Sequence, residues 1–149
     1  MATLLILEDG DEYRRYFARY LMEHVCLQAH DLGEALGHLR GAPKPDAFIL
    51  DLRFDRVPRE RLTGDVDEIA DEMLAGDVEA AWRYIVDNQG FLLLGELRGA
   101  GFGQPALLIT EMNERRVENL RKLYGAIDAV PTFDKERIAR ALGALLKGR

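Results

Sequence analysis

Five short apolar runs alternate with stretches of helical periodicity along this chain. The runs occupy residues 3–7, 25–29, 47–50, 106–109 and 127–130. Between them, Tyr13, Tyr16, Phe17, Tyr20, Leu21 and His24 recur at helical spacing and predict a helix over residues 11–24. Ala35, Leu36 and Leu39 mark another over 32–40. Further helices are expected over 90–98, 114–124 and 134–146, the last with Ile138, Ala141, Leu142 and Leu145 on its apolar face. Apolar runs without polar alternation imply strands covered on both faces, as in a parallel sheet between helix layers. The expected fold is α/β: a five-stranded doubly wound parallel sheet with helices on both faces. The 149 residues suit a single domain over 1–149.

One segment stands outside this alternation. Between Asp55 and Gln89 lie ten acidic and four basic residues, which carry the whole net charge of -6. Gly64-Asp65-Val66 and Gly76-Asp77-Val78 open two similar units. Val66, Ile69, Ala70, Met73 and Leu74 form one helical stripe; Val78, Ala81, Trp82, Ile85 and Val86 form the next. The stripes are 12 residues apart, about 120° out of phase on one continuous helix. A break at Ala75-Gly76 is therefore expected, with Asp65 and Asp77 as N-caps. Residues 55–88 thus read as an acidic helical insertion. Its stripe either packs on the domain or forms an interface, including a homodimer contact, with Trp82, Met73 and Tyr84 as candidate contacts.

Ligands of doubly wound sheets bind beyond the carboxyl ends of the strands. Those ends carry Glu8 and Asp9, Asp51, and Thr110-Glu111. Carboxylates gathered at one edge repel unless a cation joins them, and an all-oxygen set suits Mg²⁺. A metal also neutralises an incoming phosphoryl group, so that a carboxylate can attack phosphorus. Asp51, after the central strand, is the expected nucleophile. Glu8 and Asp9 are the expected metal ligands, and Thr110 the hydroxyl for a phosphoryl oxygen.

The ordered series Leu7-Glu8-Asp9, Gly33-Glu34-Ala35-Leu36, Phe48-Ile49-Leu50-Asp51-Leu52-Arg53, Leu107-Leu108-Ile109-Thr110 and Gly125-Ala126 resembles the receiver domain of two-component response regulators (CheY-like). The resemblance spans the chain apart from roughly residues 55–88. It implies a non-enzymatic signalling module in which Asp51 is the phospho-acceptor for a histidine kinase. It also implies Mg²⁺ held weakly by Glu8, Asp9, Asp51 and the backbone carbonyl of Arg53, with Thr110 as the switch hydroxyl. Receivers carry Lys-Pro at the end of the fifth strand, whereas Val130 precedes Pro131 here. The residue after the switch threonine is small in receivers and is Glu111 here. Arg53, Arg56 and Lys135 are the cations near the rim in sequence. These departures open an alternative, a phosphorylation-independent pseudo-receiver that acts as a protein-interaction module.

The remaining signals are weaker. Asp9-Gly10-Asp11 also resembles the start of haloacid-dehalogenase-like phosphatases, but Tyr13 stands where Thr or Val belongs. The glycines of Gly99-Ala100-Gly101-Phe102-Gly103 follow a helix and precede a strand, the reverse of a phosphate-binding loop. His24, His30 and His38 lack metal-ligand spacing. Acidic balance argues against a nucleic-acid partner. No apolar run approaches the ~20 residues of a membrane span. The start lacks a basic region of the secretory type. The lone Cys26, expected in the core, fits a reducing cytoplasm.

Overall fold

The computed structural model describes residues 1–148. Strands β1 (Thr3–Leu7), β2 (Val25–Ala29), β3 (Ala47–Leu50), β4 (Ala106–Ile109) and β5 (Ile127–Val130) form one parallel sheet in the order β2-β1-β3-β4-β5. The helices are α1 (Glu12–Tyr20), α2 (Leu32–Arg40), α3 (Val66–Met73), α4 (Val78–Asp87), α5 (Gln89–Gly99), α6 (Glu114–Tyr124) and α7 (Lys135–Lys147). This is the expected doubly wound sheet. None of these helices is long and apolar enough to cross a membrane.

The apolar runs divide between two cores because successive strand residues face opposite ways. Leu4, Ile6, Ile49 and Leu107 join Phe17 of α1 and Ile138 and Leu142 of α7 on one face. Leu5, Leu7, Phe48, Leu50 and Leu108 meet Leu39 of α2, Leu93, Leu94 and Leu97 of α5 and Leu120 of α6 on the other. The innermost strands, β1 and β3, are buried throughout. The edge strand β2 is not: Val25 is exposed and Cys26 only half-buried, which corrects its placement in the core. Helix α1 also stops earlier than its stripe predicts. The chain turns at Leu21, and the His24 ring accepts a hydrogen bond from the Ala2 amide (3.1 Å) instead of extending the helix.

The acidic segment folds as two helices, α3 and α4. Its break lies at Ala75 and Gly76, both with positive φ (53° and 82°). Asp65 and Asp77 cap the helices by accepting from the amides of Glu68 and Ala80. Ala70, Ala81 and Ile85 are buried by the chain itself, so part of each stripe is packed inward. The segment is tied at its root. The Phe54 amide donates to the Val86 carbonyl (2.9 Å), and buried Gln89 exchanges hydrogen bonds with both backbone groups of Thr63.

Candidate functional site

The carboxyl ends of β1 and β3 bring Glu8, Asp9 and Asp51 to one rim, as expected. Their bonding differs sharply. Glu8 is buried, and its two oxygens accept from the amides of Tyr13 and Arg14 (both 3.0 Å). These are orphan donors of the first turn of α1, where a negative charge is also favoured by the helix dipole. Asp11, the residue before the helix, makes no side-chain cap, so Glu8 serves from the end of β1. The Gln28 amide group adds a third bond to Glu8 (3.0 Å) and a further one to the Gly10 carbonyl.

Asp9 faces the segment that follows β3. One oxygen accepts from the amides of Asp55 (3.0 Å) and Arg56 (3.2 Å), and the other from the Arg56 guanidinium (2.9 Å). The same guanidinium donates to both oxygens of Glu12 at 2.6 and 3.1 Å. The Asp9 side chain is only 2% exposed. Burial pushes its carboxyl up, but the bonds from Arg56 and Asp55 outweigh this and hold it below the usual carboxylate range. The Arg56 bond lowers Glu12 likewise.

Asp51 feels the charges of both and makes no ion pair among the described residues. Its carboxyl is pushed up to about 6, by burial first and then by the charges of Asp9 and Glu8; the amides of Leu52 and Arg53 offset part of this. The Tyr13 phenol stands near Asp51 and is raised by burial and by the surrounding carboxylates. The Tyr13 ring packs edge-on against Phe133 (centroids 4.9 Å apart).

The sign of the Asp51 effect follows from linkage. A carboxyl whose folded value lies above its ordinary 3.8 binds a proton more readily when folded. It costs nothing at pH below the unfolded value, and its cost grows as pH rises to about 6, where it is fully present. A displacement of this size corresponds to ~3 kcal/mol, which partial solvent access reduces to about 1–2 kcal/mol. Asp51→Asn keeps the shape of the side chain but sheds the charge. It should stabilise the fold by about that amount at pH 8 and by almost nothing at pH 4. Equal effects in urea denaturation at both pH values would rule out the electrostatic cause.

The other expected residues fall as follows. Leu50 of β3 stands opposite Leu108 of β4, so half-buried Thr110 emerges at the same edge as Asp51. Glu111 is exposed. Val130 is buried beside Ile109, and Lys135 is exposed at the start of α7. Arg53 pairs with Asp55 and Asp87. Of the three cations near the rim in sequence, Arg56 is therefore the one bonded to its carboxylates.

A magnesium ion needs oxygen donors with open lone pairs in near-octahedral array. Both oxygens of Glu8 and both of Asp9 already accept from N–H groups. Among the described residues, no group of three or more His, Cys, Asp or Glu side chains is placed to hold a metal ion. The set expected to bind Mg²⁺, namely Glu8, Asp9, Asp51 and the Arg53 carbonyl, does not fit the ion in this arrangement. The physical reason is the Arg56 guanidinium, which sits on Asp9 Oδ1, the Asp9 oxygen with the fewest other donors, and brings a positive charge that repels the ion.

Sequence reasoning did not assign Tyr13, Glu12 or Gln28 to the rim. Tyr13 reads as one more member of an apolar stripe, because periodicity records the ring and not its hydroxyl. The histidines make backbone contacts: His30 with the Glu8 carbonyl and His38 with that of Gln28.

No protein-family model matches the chain, and no curated protein matches it in sequence. Solved structures do match in shape. Chemotaxis protein CheY4 of Vibrio cholerae is similar with a TM-score of 0.62 and 19% identity, over 97% of this chain and 98% of that one. The NtrX receiver domain of Brucella abortus has a TM-score of 0.62 and 18% identity, over 98% and 99%. A Francisella response-regulator receiver domain has 0.60 and 15%, over 99% and 98%. With the strand order 2-1-3-4-5 and an acidic rim at the carboxyl ends of β1 and β3, this chain has the CheY-like fold of response-regulator receiver domains.

Proposed function

We propose that this chain is a receiver-type signalling module that acts through protein–protein contacts, as one unit over residues 1–149, with no phosphoryl chemistry at its rim. One observation carries the reading: Glu8 and Asp9, the carboxylates that would hold a metal, are committed to N–H donors and to Arg56. Without a divalent cation, a phosphoryl group arriving at Asp51 would meet a cluster of negative charge, and Val130 supplies no compensating ammonium. The module has no catalytic role in this reading. Its partners are signalling proteins, a histidine kinase or a second copy among them. Met73 and Val78 on the acidic segment are exposed for such contacts, while Trp82 is covered by the Arg59 guanidinium at 4.9 Å.

A second reading keeps Asp51 as phospho-acceptor, with Thr110 as switch hydroxyl and Mg²⁺ on Glu8, Asp9, Asp51 and the Arg53 carbonyl. It is favoured by Asp51 standing at the end of an innermost strand with no ion pair among the described residues. Intact mass after incubation with acetyl phosphate and MgCl₂ separates the two. The expected result is an unmodified chain. A phosphoryl increment that disappears in Asp51→Asn would establish the second reading instead.

A further inference from the structure

The rim holds a cation that the chain itself supplies. The Arg56 guanidinium spans Asp9 and Glu12, and the Arg56 amide bonds the other Asp9 oxygen, so backbone and side chain grip one carboxylate together. Asp9 is almost wholly buried, and a charge so placed needs a paired partner. The space for the guanidinium is shaped by a glycine. A Cβ on Gly10 would fall 2.4 Å from Arg56 Nη2 and 2.6 Å from its Cζ, so the planar group lies where any other residue would project. The loop that carries Arg56 is fastened elsewhere too. Arg61 donates to Asp31 (2.7 Å), the N-cap of α2, so residues 56–61 run from the β1–α1 loop to the β2–α2 loop.

We propose that Arg56 is a tethered replacement for a divalent cation: it closes the acidic rim, and its withdrawal converts that rim into a Mg²⁺ site. This deepens the reading of the rim as one that works without metal. A guanidinium brings one positive charge and a fixed fork of donors, which suits two carboxylates side by side. Mg²⁺ brings two charges and demands oxygen ligands. The two compete for Asp9, because a guanidinium and a dication on the same carboxylate oxygen repel each other. A partner that drew the 56–61 loop away would therefore open the rim to metal.

The test is a Mg²⁺ titration of the full chain, read by thermal unfolding at constant ionic strength and by the amide resonances of residues 8–14. Wild type should show no Mg²⁺-dependent rise in Tm at millimolar concentrations. Arg56→Gln should show one, with apparent affinity roughly tenfold or more above wild type, the scale of a lost charge-assisted hydrogen bond. Adding Asp9→Asn should abolish it. Arg56→Lys keeps a charge but loses the fork, and serves if the glutamine variant does not fold; Mg²⁺ should stabilise it too, at higher concentration. Wild type that binds Mg²⁺ as tightly as the variants would overturn the proposal, as would folded variants that ignore the metal. The titration uses no phosphodonor, so phosphorylation of Asp51 in the mass experiment would overturn the functional reading while leaving this result to be judged separately.

Discussion

Phe54→Ala should destabilise the fold by about 3–5 kcal/mol, the range for deleting a buried aromatic side chain. Phe54 is fully buried and belongs to the core that includes Leu7, Leu50, Phe91 and Leu94. Leu52, Val57 and Leu62 pack at the border of that core. The residue therefore anchors the chain where it leaves β3 for the acidic segment, two positions before Arg56. Its amide bond to Val86 ties the same point to the end of α4. Alanine would leave a cavity beneath the loop that carries Arg56. A loss of that size is a large share of the ~5–15 kcal/mol typical of a domain. Phe54→Leu fills most of the volume and should cost about 1 kcal/mol. Urea denaturation of both variants checks the order. An alanine variant within 1 kcal/mol of wild type would show that the root of the segment bears little on the core.

The effect on the rim should exceed what the cavity alone explains. Arg56 reaches Asp9 because Phe54 fixes the path of the backbone between them, so loosening it should weaken the amide bonds from Asp55 and Arg56 to Asp9. Those bonds, with the guanidinium, are what hold the Asp9 carboxyl low. The alanine variant should therefore lose more of its stability at neutral pH, where Asp9 is charged, than at acid pH, where it is protonated.

The sheet was legible because its strands are short, largely apolar runs and most of the helices between them repeat at a period near 3.6 residues; α5 has no such one-sided stripe. The break between α3 and α4 was legible for a different reason: two stripes out of phase cannot share one straight helix. Asp65 and Asp77 announced the starts of those helices through a capping chemistry that is local. The end of α1 was not, because Leu21 and His24 continue the stripe while the backbone has already turned toward Ala2. The rim divides in the same way. Acidic residues at strand ends are visible in the sequence, since strand ends are. What those carboxylates bond to is decided by the path of the loop after β3, whose Asp55 lies 46 residues after Asp9 in the chain. Arg53, Arg56 and Lys135 are equivalent as letters near the rim. Only the fold selects Arg56, by pairing Arg53 with Asp55 and Asp87 and leaving Lys135 exposed at the start of α7.

The place where the acidic segment returns should be equally sensitive. Gly90→Ala is expected to destabilise the fold by about 3 kcal/mol, although alanine is the better helix former. On propensity alone the change would gain ~1 kcal/mol within α5. Sterics oppose it. A Cβ at Gly90 would lie 2.3 Å from the Asp51 carbonyl oxygen and 3.1–3.2 Å from the neighbouring backbone atoms of Asp51 and Leu52. Those atoms cannot swing aside as a flexible side chain would, because β3 is buried between its neighbours and the Gly90 amide is bonded to the Leu52 carbonyl (3.1 Å). Overpacking of this kind costs ~1–3 kcal/mol, with rigid backbone at the upper end. Because the contact is with Asp51 itself, relief has to come from moving α5 outward or from twisting the peptide after Asp51. Either motion shifts the amides of Leu52 and Arg53 that face the Asp51 carboxyl. Gly90→Ala should therefore change the carboxyl resonance of Asp51 and its titration midpoint, whereas Gly99→Ala, at the open far end of the same helix where a Cβ meets nothing, should change neither. If Gly90→Ala is as stable as wild type and leaves the Asp51 midpoint in place, α5 does not press on the rim and the acidic segment is free to move without being felt there.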